Sequence, residues 1–287
     1  MLVTVAVKPL QADHAQPASM PQEPIVSLAG SPIPSTIPRT ALVTGAAQRI
    51  GRAIALGLAA AGFDLVLQCR GSRDAAEAVR ADILAMGRAC AIIVADLADE
   101  AATAALAARA TALGPLGVLV NNASNFERDE WDTASRASWD AHLEPNLRAP
   151  FVLTQAFAAA LPATAEGVVI NLLDQRVWSP TPHFVSYSLS KAGLWALTQS
   201  LALALAPRIR VNAIGPGPVL PSPRQTQAQF DRQAAATPLR RPASPGEIAA
   251  AALAILSLPS MTGQMIALDG GQHLQWGPVP PNAPPEE

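Results

Sequence analysis

The chain has 287 residues, a net charge of −2 and a hydrophobic fraction of 50%, so it can bury a full core and global disorder is excluded. The mildly acidic balance gives no electrostatic footprint for nucleic acid or an anionic membrane surface, and neither is expected as a partner. Two cysteines, Cys69 and Cys90, cannot form a disulfide framework and indicate a reducing, cytoplasmic compartment. The four histidines lack metal-ligand spacing and no run of about 18 apolar residues occurs, so we expect neither a metal site nor a membrane span.

Proline is concentrated at the two ends of the chain. Residues 1–39 hold seven of the 27 prolines, and residues 277–287 hold five. This distribution predicts a flexible Pro-rich N-terminal extension over residues 1–38 and a flexible Pro-rich C-terminal tail over residues 277–287. The catalytic domain is then expected at residues 39–276. The apolar start of the extension lacks a basic region, a long apolar stretch and a clear cleavage site, so no signal peptide is expected.

From Thr40 onward, short apolar runs alternate with Ala-rich segments of helical length. The runs show no polar–apolar alternation, which is typical of strands buried on both faces. The pattern predicts an α/β fold with a single doubly wound, Rossmann-type parallel sheet of about seven strands flanked by helices. Strands are predicted at Ala41–Thr44, Leu65–Gln68, Ala91–Val94, Val118–Asn121, Val168–Leu173, Ile209–Ala213 and Met265–Leu268. Helices are predicted at residues 50–61, 74–86, 99–113, 135–160, 185–206 and 245–257. The long Pro-rich stretch Gly215–Pro242 is predicted to be a lid or binding loop.

The turn after the first strand is built from small residues and leads into a helix. It reads Gly45-Ala46-Ala47-Gln48-Arg49-Ile50-Gly51. Small residues let the backbone approach a pyrophosphate, and the helix N-terminus supplies N–H donors and the positive end of its dipole. The pattern predicts dinucleotide binding here, although by itself it also fits an ordinary tight turn between a strand and a helix.

The end of the second strand indicates which dinucleotide is bound. Folds that bind NAD normally place a carboxylate here for the ribose 2′-hydroxyl, but this sequence reads Gln68-Cys69-Arg70-Gly71-Ser72. Arg70 is placed to meet a 2′-phosphate, and Arg49 could meet the same group, because guanidinium binds phosphate in bidentate fashion. The sequence therefore favours NADPH, and the alternative is that both arginines are solvated loop residues.

Tyr187 and Lys191 are spaced to lie on one face of a helix that begins near Val185. The charge of a neighbouring lysine favours tyrosinate and lowers the pKa of a phenol from its reference value of about 10. Such a tyrosine can exchange a proton near neutral pH. Tyr187 is the only tyrosine in the chain, but a Tyr-x-x-x-Lys spacing is common by chance. The position of the pair after the fifth strand of a nucleotide-binding fold is what predicts it to be the acid–base centre of an enzyme.

From Thr40 to about Leu274 the chain resembles the short-chain dehydrogenase/reductase family. The resemblance rests on Thr44-Gly45…Ile50-Gly51, Asp96-Leu97, Asn121-Asn122-Ala123, Asn146, Tyr187…Lys191, Pro216-Gly217 and Asp269-Gly270-Gly271. It implies that Tyr187 gives or takes the proton, that Lys191 holds the nicotinamide ribose and that Asn146 supports a proton relay through water. The cofactor contacts expected from the motifs and the resemblance together are Gly45, Arg49, Ile50, Arg70, Ser72, Asp96, Leu97, Asn122, Ala123, Ser124, Tyr187, Lys191, Pro216 and Gly217.

Three departures from the family pattern resemble one branch, the pteridine reductases and the related dihydromonapterin reductases. Arg49 stands for the third glycine of the first turn, Ser124 for the glycine after Asn122-Ala123, and Asp174 for the catalytic serine thirteen residues before the tyrosine. In that branch an aromatic residue, here Phe126, also follows the Asn-Ala-Ser run. The resemblance implies that Phe126 stacks on a pterin and sandwiches it against the nicotinamide, and a flat heteroaromatic ring suits such stacking.

The substrate hypothesis depends chiefly on Asp174. A serine hydroxyl suits a carbonyl, whereas hydride addition to the C=N bond of a dihydropterin places negative charge on a ring nitrogen. A carboxyl beside Tyr187 can deliver or relay the proton if burial near Phe126, Trp178 and the cofactor keeps it neutral. Alternatively, an ionised Asp174 accepts hydrogen bonds from the pterin or orients water. Trp178 is predicted to bind substrate, with a core or interface role left open.

These observations predict an NADPH-dependent reductase that transfers a hydride to a dihydropterin, with Asp174, Tyr187, Lys191 and Asn146 as catalytic residues. Two alternatives stay open, which are a reductase of another carbonyl or imine substrate and a non-catalytic NADPH-binding protein. The run Ala192–Ala206 has apolar residues on several faces, which indicates burial in a subunit interface. The family resemblance implies the same, so a homodimer or homotetramer is expected.

Overall fold

The computed structural model describes residues 32–275, and a seven-stranded parallel sheet runs through this part of the chain. The strands are β1 (Thr40–Val43), β2 (Asp64–Cys69), β3 (Cys90–Val94), β4 (Leu116–Asn121), β5 (Gly167–Leu172), β6 (Ile209–Pro216) and β7 (Met265–Leu268). Their order in the sheet is β3-β2-β1-β4-β5-β6-β7, and every neighbouring pair is parallel. The predicted doubly wound sheet of about seven strands is therefore confirmed.

The described range contains eight α-helices. They are α1 (Arg49–Ala60), α2 (Arg73–Ala85), α3 (Glu100–Ala110), α4 (Arg136–Leu143), α5 (Ala149–Ala160), α6 (Val185–Leu205), α7 (Gln227–Ala235) and α8 (Pro245–Ser257). Between residues 32 and 275, none of the helices has the length and apolar character that a membrane crossing requires.

The two faces of the sheet are buried by different helices, which follows from the alternation of side chains along a strand. On β1, Ala41 and Val43 pack in a core with side chains of α1 and α8, such as Ile54 and Ile248. Leu42, between them, packs on the opposite face with side chains of α3 and α5. Because both faces are covered, the strands contain continuous apolar runs, which is the pattern seen in the sequence.

The strand order reverses between β1 and β4, which are neighbours in the sheet but distant in the chain. In an open α/β sheet, such a reversal leaves a crevice outside the carboxyl ends of the two strands. The loops that follow β1 and β4 begin at Thr44 and Asn122. These loops carry two of the motifs singled out in the sequence, so the topology brings both motifs to the crevice.

The helix predicted over residues 135–160 is present in the structure, but it contains an irregular turn. It consists of α4, a π-helical turn at Glu144–Arg148 and α5. Pro145 and Pro150 have no N–H to donate and their rings clash with the preceding turn, so the regular hydrogen-bond ladder cannot continue through them. π-turns of this kind are frequent at functional sites, and this one contains Asn146.

The predicted lid, Gly215–Pro242, contains helix α7, for which the sequence interpretation assigned no structure. Thr226 and Gln229 form a capping box at its start, in which each side chain bonds the other residue's backbone N–H. The helix buries Phe230 and Ala234, which anchors the lid on the domain. The predicted lid thus contains one regular helix between irregular segments, and its role as a lid stays a prediction.

Part of the apolar surface of helix α6 is buried within the protomer. Leu194 is buried against Leu173, Ala213 and Met265, whereas Leu203 is 84% exposed. Packing within the same chain therefore explains part of the apolar character of α6. The assembly expected from the sequence stays a prediction.

The packed domain begins earlier than the predicted boundary at residue 38. Ile37 is 1% exposed and belongs to the core on the α1 side of the sheet. Thr36 donates its hydroxyl to Glu166 and accepts the Glu166 N–H through its carbonyl. Apolar burial and local hydrogen bonds thus hold the segment that the proline content assigned to the extension. Residues 1–31 and 276–287, which make up most of the predicted extension and tail, lie outside the described residues.

Replacing Ile37 by alanine tests this boundary. Because the side chain is fully buried, Ile37→Ala is expected to lower the free energy of unfolding by about 3 kcal/mol, and Ile37→Val by about 1 kcal/mol. Urea denaturation of the two variants and the parent measures the difference. A loss below about 0.5 kcal/mol for Ile37→Ala, the size typical of surface changes, would place residue 37 outside the core.

Candidate active site

Two adjoining clefts open at the carboxyl ends of β1 and β4. The larger has a volume of about 510 Å³ and the smaller about 270 Å³. The turn between β1 and α1 separates them, and the residues that line both are Arg49, Ile50, Asn122 and Ser124. The larger cleft runs along the ends of β2 and β3, whereas the smaller is lined by three of the four predicted catalytic residues, Asp174, Tyr187 and Lys191. A ligand spanning both clefts would cross the first turn.

The first turn is shaped for close approach to a ligand. Gly45 has a φ of 62°, in the left-handed region that glycine tolerates best. A Cβ at Gly51 would lie 2.2 Å from the carbonyl oxygen of Gly45, so no larger residue fits there. Helix α1 has no side-chain cap and no acidic residue in its first turn, and its N-terminal N–H groups are available to an anion. These features fit the pyrophosphate of a dinucleotide.

Gln68, which the sequence analysis did not assign to the site, supports this turn. Its side-chain oxygen accepts the N–H of Gly45 at 2.9 Å, and its side-chain nitrogen donates to the carbonyl of Ala95 at 2.8 Å. The residue is 2% exposed and sits near the end of β2. A buried glutamine in an otherwise apolar strand was the signal that could have identified it, because buried polar side chains are kept where they satisfy backbone groups.

All fourteen predicted cofactor residues line one or both clefts. Those on the larger cleft alone are Gly45, Arg70, Ser72, Asp96, Leu97 and Ala123. Those on the smaller cleft alone are Tyr187, Lys191, Pro216 and Gly217. The remaining four are the shared residues named above. The structure thus brings together segments that are separated by more than one hundred positions in the chain.

Arg49 has partners that the sequence analysis did not anticipate. Its guanidinium donates to the carbonyl oxygens of Pro221 at 2.9 Å and Leu220 at 3.1 Å, both in the lid. Arg70 is exposed on the larger cleft. Both arginines therefore line one cleft, as predicted, but Arg49 also connects the first turn to the lid. The predicted binding of a 2′-phosphate by both arginines stays a prediction.

Asp174 and Tyr187 are in direct contact. The Tyr187 hydroxyl donates to Oδ2 of Asp174 at 2.9 Å. Arg176 donates to the same carboxyl from its backbone N–H, to Oδ1 at 2.8 Å, and from its guanidinium, to Oδ2 at 3.0 Å. Three donors thus point at the Asp174 carboxyl, which is the arrangement that suits an ionised acceptor. Of the two forms left open by the sequence, this geometry matches the carboxylate.

Lys191 lies fully buried behind Tyr187. Its ammonium group donates to the carbonyl of Leu172 at 2.9 Å and lies 5.8 Å from the centre of the Tyr187 ring. Burial lowers the pKa of Lys191 to about 8, while the charge of Asp174 acts in the opposite direction. The site therefore contains a cation whose proton is released in the mildly alkaline range.

Asn146 holds the loop that follows β4. It is 0% exposed, and its Oδ1 accepts the Asn125 N–H at 2.8 Å. Its Nδ2 donates to the Asn125 carbonyl at 2.9 Å and to the Ser190 hydroxyl at 3.0 Å. The side chain is thus committed to the loop that carries Ser124 and Phe126, and it does not line either cleft. The predicted relay through water stays a prediction.

Phe126 lines the smaller cleft and belongs to an aromatic cluster. Its ring stacks on Phe184 with a centroid distance of 4.7 Å and an interplanar angle of 13°. The edge-to-face contact with Tyr187 has a centroid distance of 4.6 Å. The guanidinium of Arg176 lies 5.6 Å from the Phe126 centroid. Phe184 and Arg176 were not predicted as site residues.

Trp178, predicted to bind substrate, is not among the residues that line the smaller cleft. Its ring lies edge to face against Trp195, at 6.2 Å, and against His273, at 5.0 Å, and it is 41% exposed. The residue follows the short helical turn Gln175–Val177, which directs the side chain towards α6 and away from the cleft. A ring exposed to this extent is not a core residue, and the predicted contact of Trp178 with substrate stays a prediction. Between residues 32 and 275, no group of three or more His, Cys, Asp and Glu side chains could hold a metal ion.

The chain belongs to the short-chain dehydrogenase family, whose model matches residues 39–232. It is therefore an oxidoreductase of this family. The chain is similar to the crystal structure of FolM alternative dihydrofolate reductase 1 from Brucella suis in complex with NADP, with 44% identity and a TM-score of 0.82. The likeness covers 85% of this chain and 98% of that one.

Two curated relatives are similar over nearly the same region. An uncharacterized oxidoreductase of Mycobacterium tuberculosis is 36% identical over 244 residues, which are 81% of this chain and 91% of the relative. The 3beta-hydroxysteroid dehydrogenase 1 of Eggerthella lenta is 34% identical over 250 residues, which are 83% and 95% respectively. The family is thus shared by proteins with different named activities, and the substrate has to be argued from the site.

The lowered pKa of Lys191 predicts a pH-dependent stability. Between pH 8 and 10.5, the folded protein has released a proton that the unfolded chain still binds, so the free energy of unfolding rises with pH. Relative to Lys191→Met, the parent is expected to gain on the order of 2 kcal/mol over this interval. Denaturation of the cofactor-free proteins at several pH values measures it. Parallel curves for parent and variant would contradict the assignment.

Proposed function

We propose that the protein is an NADPH-dependent reductase that transfers a hydride to the C=N bond of a dihydropterin. The observation that carries this proposal is the hydrogen bond between Tyr187 and Asp174, in the position where the family normally has a serine. An aromatic ring, Phe126, lies beside the pair on the same cleft. The likeness to a dihydrofolate reductase with NADP supports the proposal, since folates and pterins share the reduced ring system.

The two clefts would divide the cofactor between them. Helix α1 and the turn at Gly45 would hold the pyrophosphate, and Arg70 the 2′-phosphate, while Lys191 and Tyr187 would adjoin the nicotinamide ribose. When bound there, NADPH supplies the hydride. The protein itself contributes orientation, the exclusion of water and the proton.

Tyr187 would supply the proton that balances hydride addition. Hydride attack on the C=N carbon leaves an electron pair on the ring nitrogen, and the Tyr187 hydroxyl can donate its proton to that nitrogen. The nearby charge of Lys191, 5.8 Å from the ring centre, stabilises the tyrosinate that remains. Asp174, held as an acceptor by Arg176, would bind an N–H of the pterin or orient a water molecule.

Phe126 would provide the face on which the pterin ring stacks. It already makes one stacked contact with Phe184, so its plane is fixed before a ligand enters. Offset stacking of aromatic rings contributes about 0.5–1.5 kcal/mol beyond their apolar burial. A flat heteroaromatic substrate gains from this surface, whereas an aliphatic ketone does not.

A second candidate is a reductase of a carbonyl substrate. The relative named as a 3beta-hydroxysteroid dehydrogenase favours it, because such chemistry interconverts a carbonyl and an alcohol. The missing serine argues against it, since a carboxylate does not polarise a carbonyl oxygen as a neutral hydroxyl does. NADPH oxidation with dihydrobiopterin, dihydromonapterin, dihydrofolate and a panel of ketones separates the two candidates.

Cofactor choice is expected to depend on Arg70. Because only NADPH carries the 2′-phosphate, Arg70→Ala should raise the KM for NADPH by about tenfold or more and leave that for NADH nearly unchanged, as loss of a charge-assisted hydrogen bond would do. Initial rates with each cofactor measure the ratio. Equal effects on both cofactors would exclude Arg70 from phosphate recognition.

Pterin reduction is expected to depend on Asp174. Asp174→Ser recreates the family's usual site for carbonyls, and Asp174→Asn keeps the shape but removes the charge that pairs with Arg176. Both changes should lower kcat for a dihydropterin by about 100-fold, the typical contribution of one positioned acid or base, while NADPH binding stays intact. Turnover at the parent rate by both variants would show that Asp174 is a structural residue. The dihydropterin proposal would then have no more support than the carbonyl alternative.

A further inference from the structure

A buried carboxylate outside the two clefts is in contact with the start of helix α6, which carries Tyr187. Asp129 lies in the loop between β4 and α4, is 5% exposed and does not line either cleft. Its backbone carbonyl accepts the N–H groups of Phe184, at 2.9 Å, and Val185, at 3.3 Å. Its Oδ1 accepts the N–H of Ser186 at 3.1 Å.

These bonds replace the cap that helix α6 lacks in its own sequence. Phe184 precedes the helix with a φ of 58° and no side-chain hydrogen bond of its own. A bulky residue in the left-handed region costs about 1–2 kcal/mol, so neighbouring contacts must hold it there. Asp129 satisfies three consecutive N–H groups at this helix end, which makes the capping residue one that is more than fifty positions away in sequence.

The Asp129 carboxylate also ends a chain of oriented hydrogen bonds. The N–H of Glu127 donates to Nε2 of His142 at 2.9 Å, so Nδ1 carries the proton of the neutral ring and donates to the Ser186 hydroxyl at 2.7 Å. The Ser186 hydroxyl then donates to Oδ2 of Asp129. Burial lowers the pKa of His142, which is consistent with the neutral ring.

The same chain fixes three aromatic rings of the site. Glu127 adjoins Phe126 in sequence, Asp129 holds the backbone of Phe184, and Ser186 immediately precedes Tyr187. The His142 ring lies edge to face against Tyr187 with a centroid distance of 6.0 Å. A change in Asp129 is therefore expected to displace the aromatic cluster, while Asp129 itself does not line the larger cleft.

We propose that Asp129 is a positioning residue for the acid–base tyrosine: by capping α6 from another loop and orienting Ser186 and His142, it sets the place of the Tyr187 hydroxyl. The proposal rests on Tyr187 being the proton donor of the proposed function. It does not depend on which substrate is reduced. The contributions of Asp129, Ser186 and Tyr187 can be tested one at a time, because each residue can be substituted separately.

Fluorotyrosine labelling tests the proposal without any substrate. Because the chain has one tyrosine, incorporation of 3-fluorotyrosine gives a single fluorine reporter at Tyr187. In the parent protein, the Ser186 and Ser138 hydroxyls donate to Oδ2 of Asp129. Asp129→Asn places an N–H₂ group opposite these hydroxyls, so the two hydrogen bonds cannot form as in the parent. The fluorine resonance is expected to shift or broaden, with NADPH binding unchanged. Asp132→Asn, the same change at an exposed position of the same loop, should leave the resonance in place.

Steady-state kinetics give the second readout. Asp129→Asn should lower kcat by about 10- to 100-fold, the effect of misplacing a reacting group by about 1 Å, with the KM for NADPH unchanged. If this variant does not fold, Ser186→Ala removes only the hydroxyl link and should shift the resonance and lower kcat in the same direction. An unmoved resonance in a folded variant, or equal losses of NADPH affinity and kcat, would overturn the proposal. Absence of pterin turnover by the parent would count against the proposed function alone, since the fluorine result stands without it.

Discussion

The site depends on the close junction between the ends of β1 and β4. The Thr44 hydroxyl accepts the N–H groups of Asn122, at 2.9 Å, and Ala123, at 3.0 Å, while the Asn122 side chain donates back to the carbonyls of Thr44 and Gly45. These bonds join two loops that the strand order brings side by side. They fix the first turn on one side and the loop carrying Phe126 on the other, and both clefts open from this junction.

Electrostatic balance at the smaller cleft follows from one substitution in the family pattern. Asp174 brings a negative charge to a position where the family has a neutral hydroxyl, and Arg176, two residues later, pairs with it at 3.0 Å. Both side chains are mostly buried, so removing either would break a buried ion pair, which is costly. The same carboxylate partly offsets the burial of Lys191. The pair therefore allows a carboxylate, a tyrosine and a lysine to share one small site.

Several features were beyond the reach of sequence patterns because they depend on contacts between distant segments. The periodicity of residues 135–160 predicted a regular helix, since it does not register the π-turn that contains Pro145. Trp178 follows closely in sequence after residues that line the smaller cleft, but the turn before it directs its ring to Trp195. The proline count placed Ile37 in the extension, whereas burial places it in the core.

The sequence by itself determined the order of the strands and of most helices, the small-residue turn after β1 and the residues that line the two clefts, because apolar periodicity and local motifs are properties of neighbouring residues. It also identified the Tyr187–Asp174 pair through family resemblance. Only the tertiary structure decided which donors reach Asp174, which lid carbonyls bind Arg49 and which distant carboxylate caps α6. Those contacts join residues up to 172 positions apart, and such pairings follow from how the sheet and its loops pack in space.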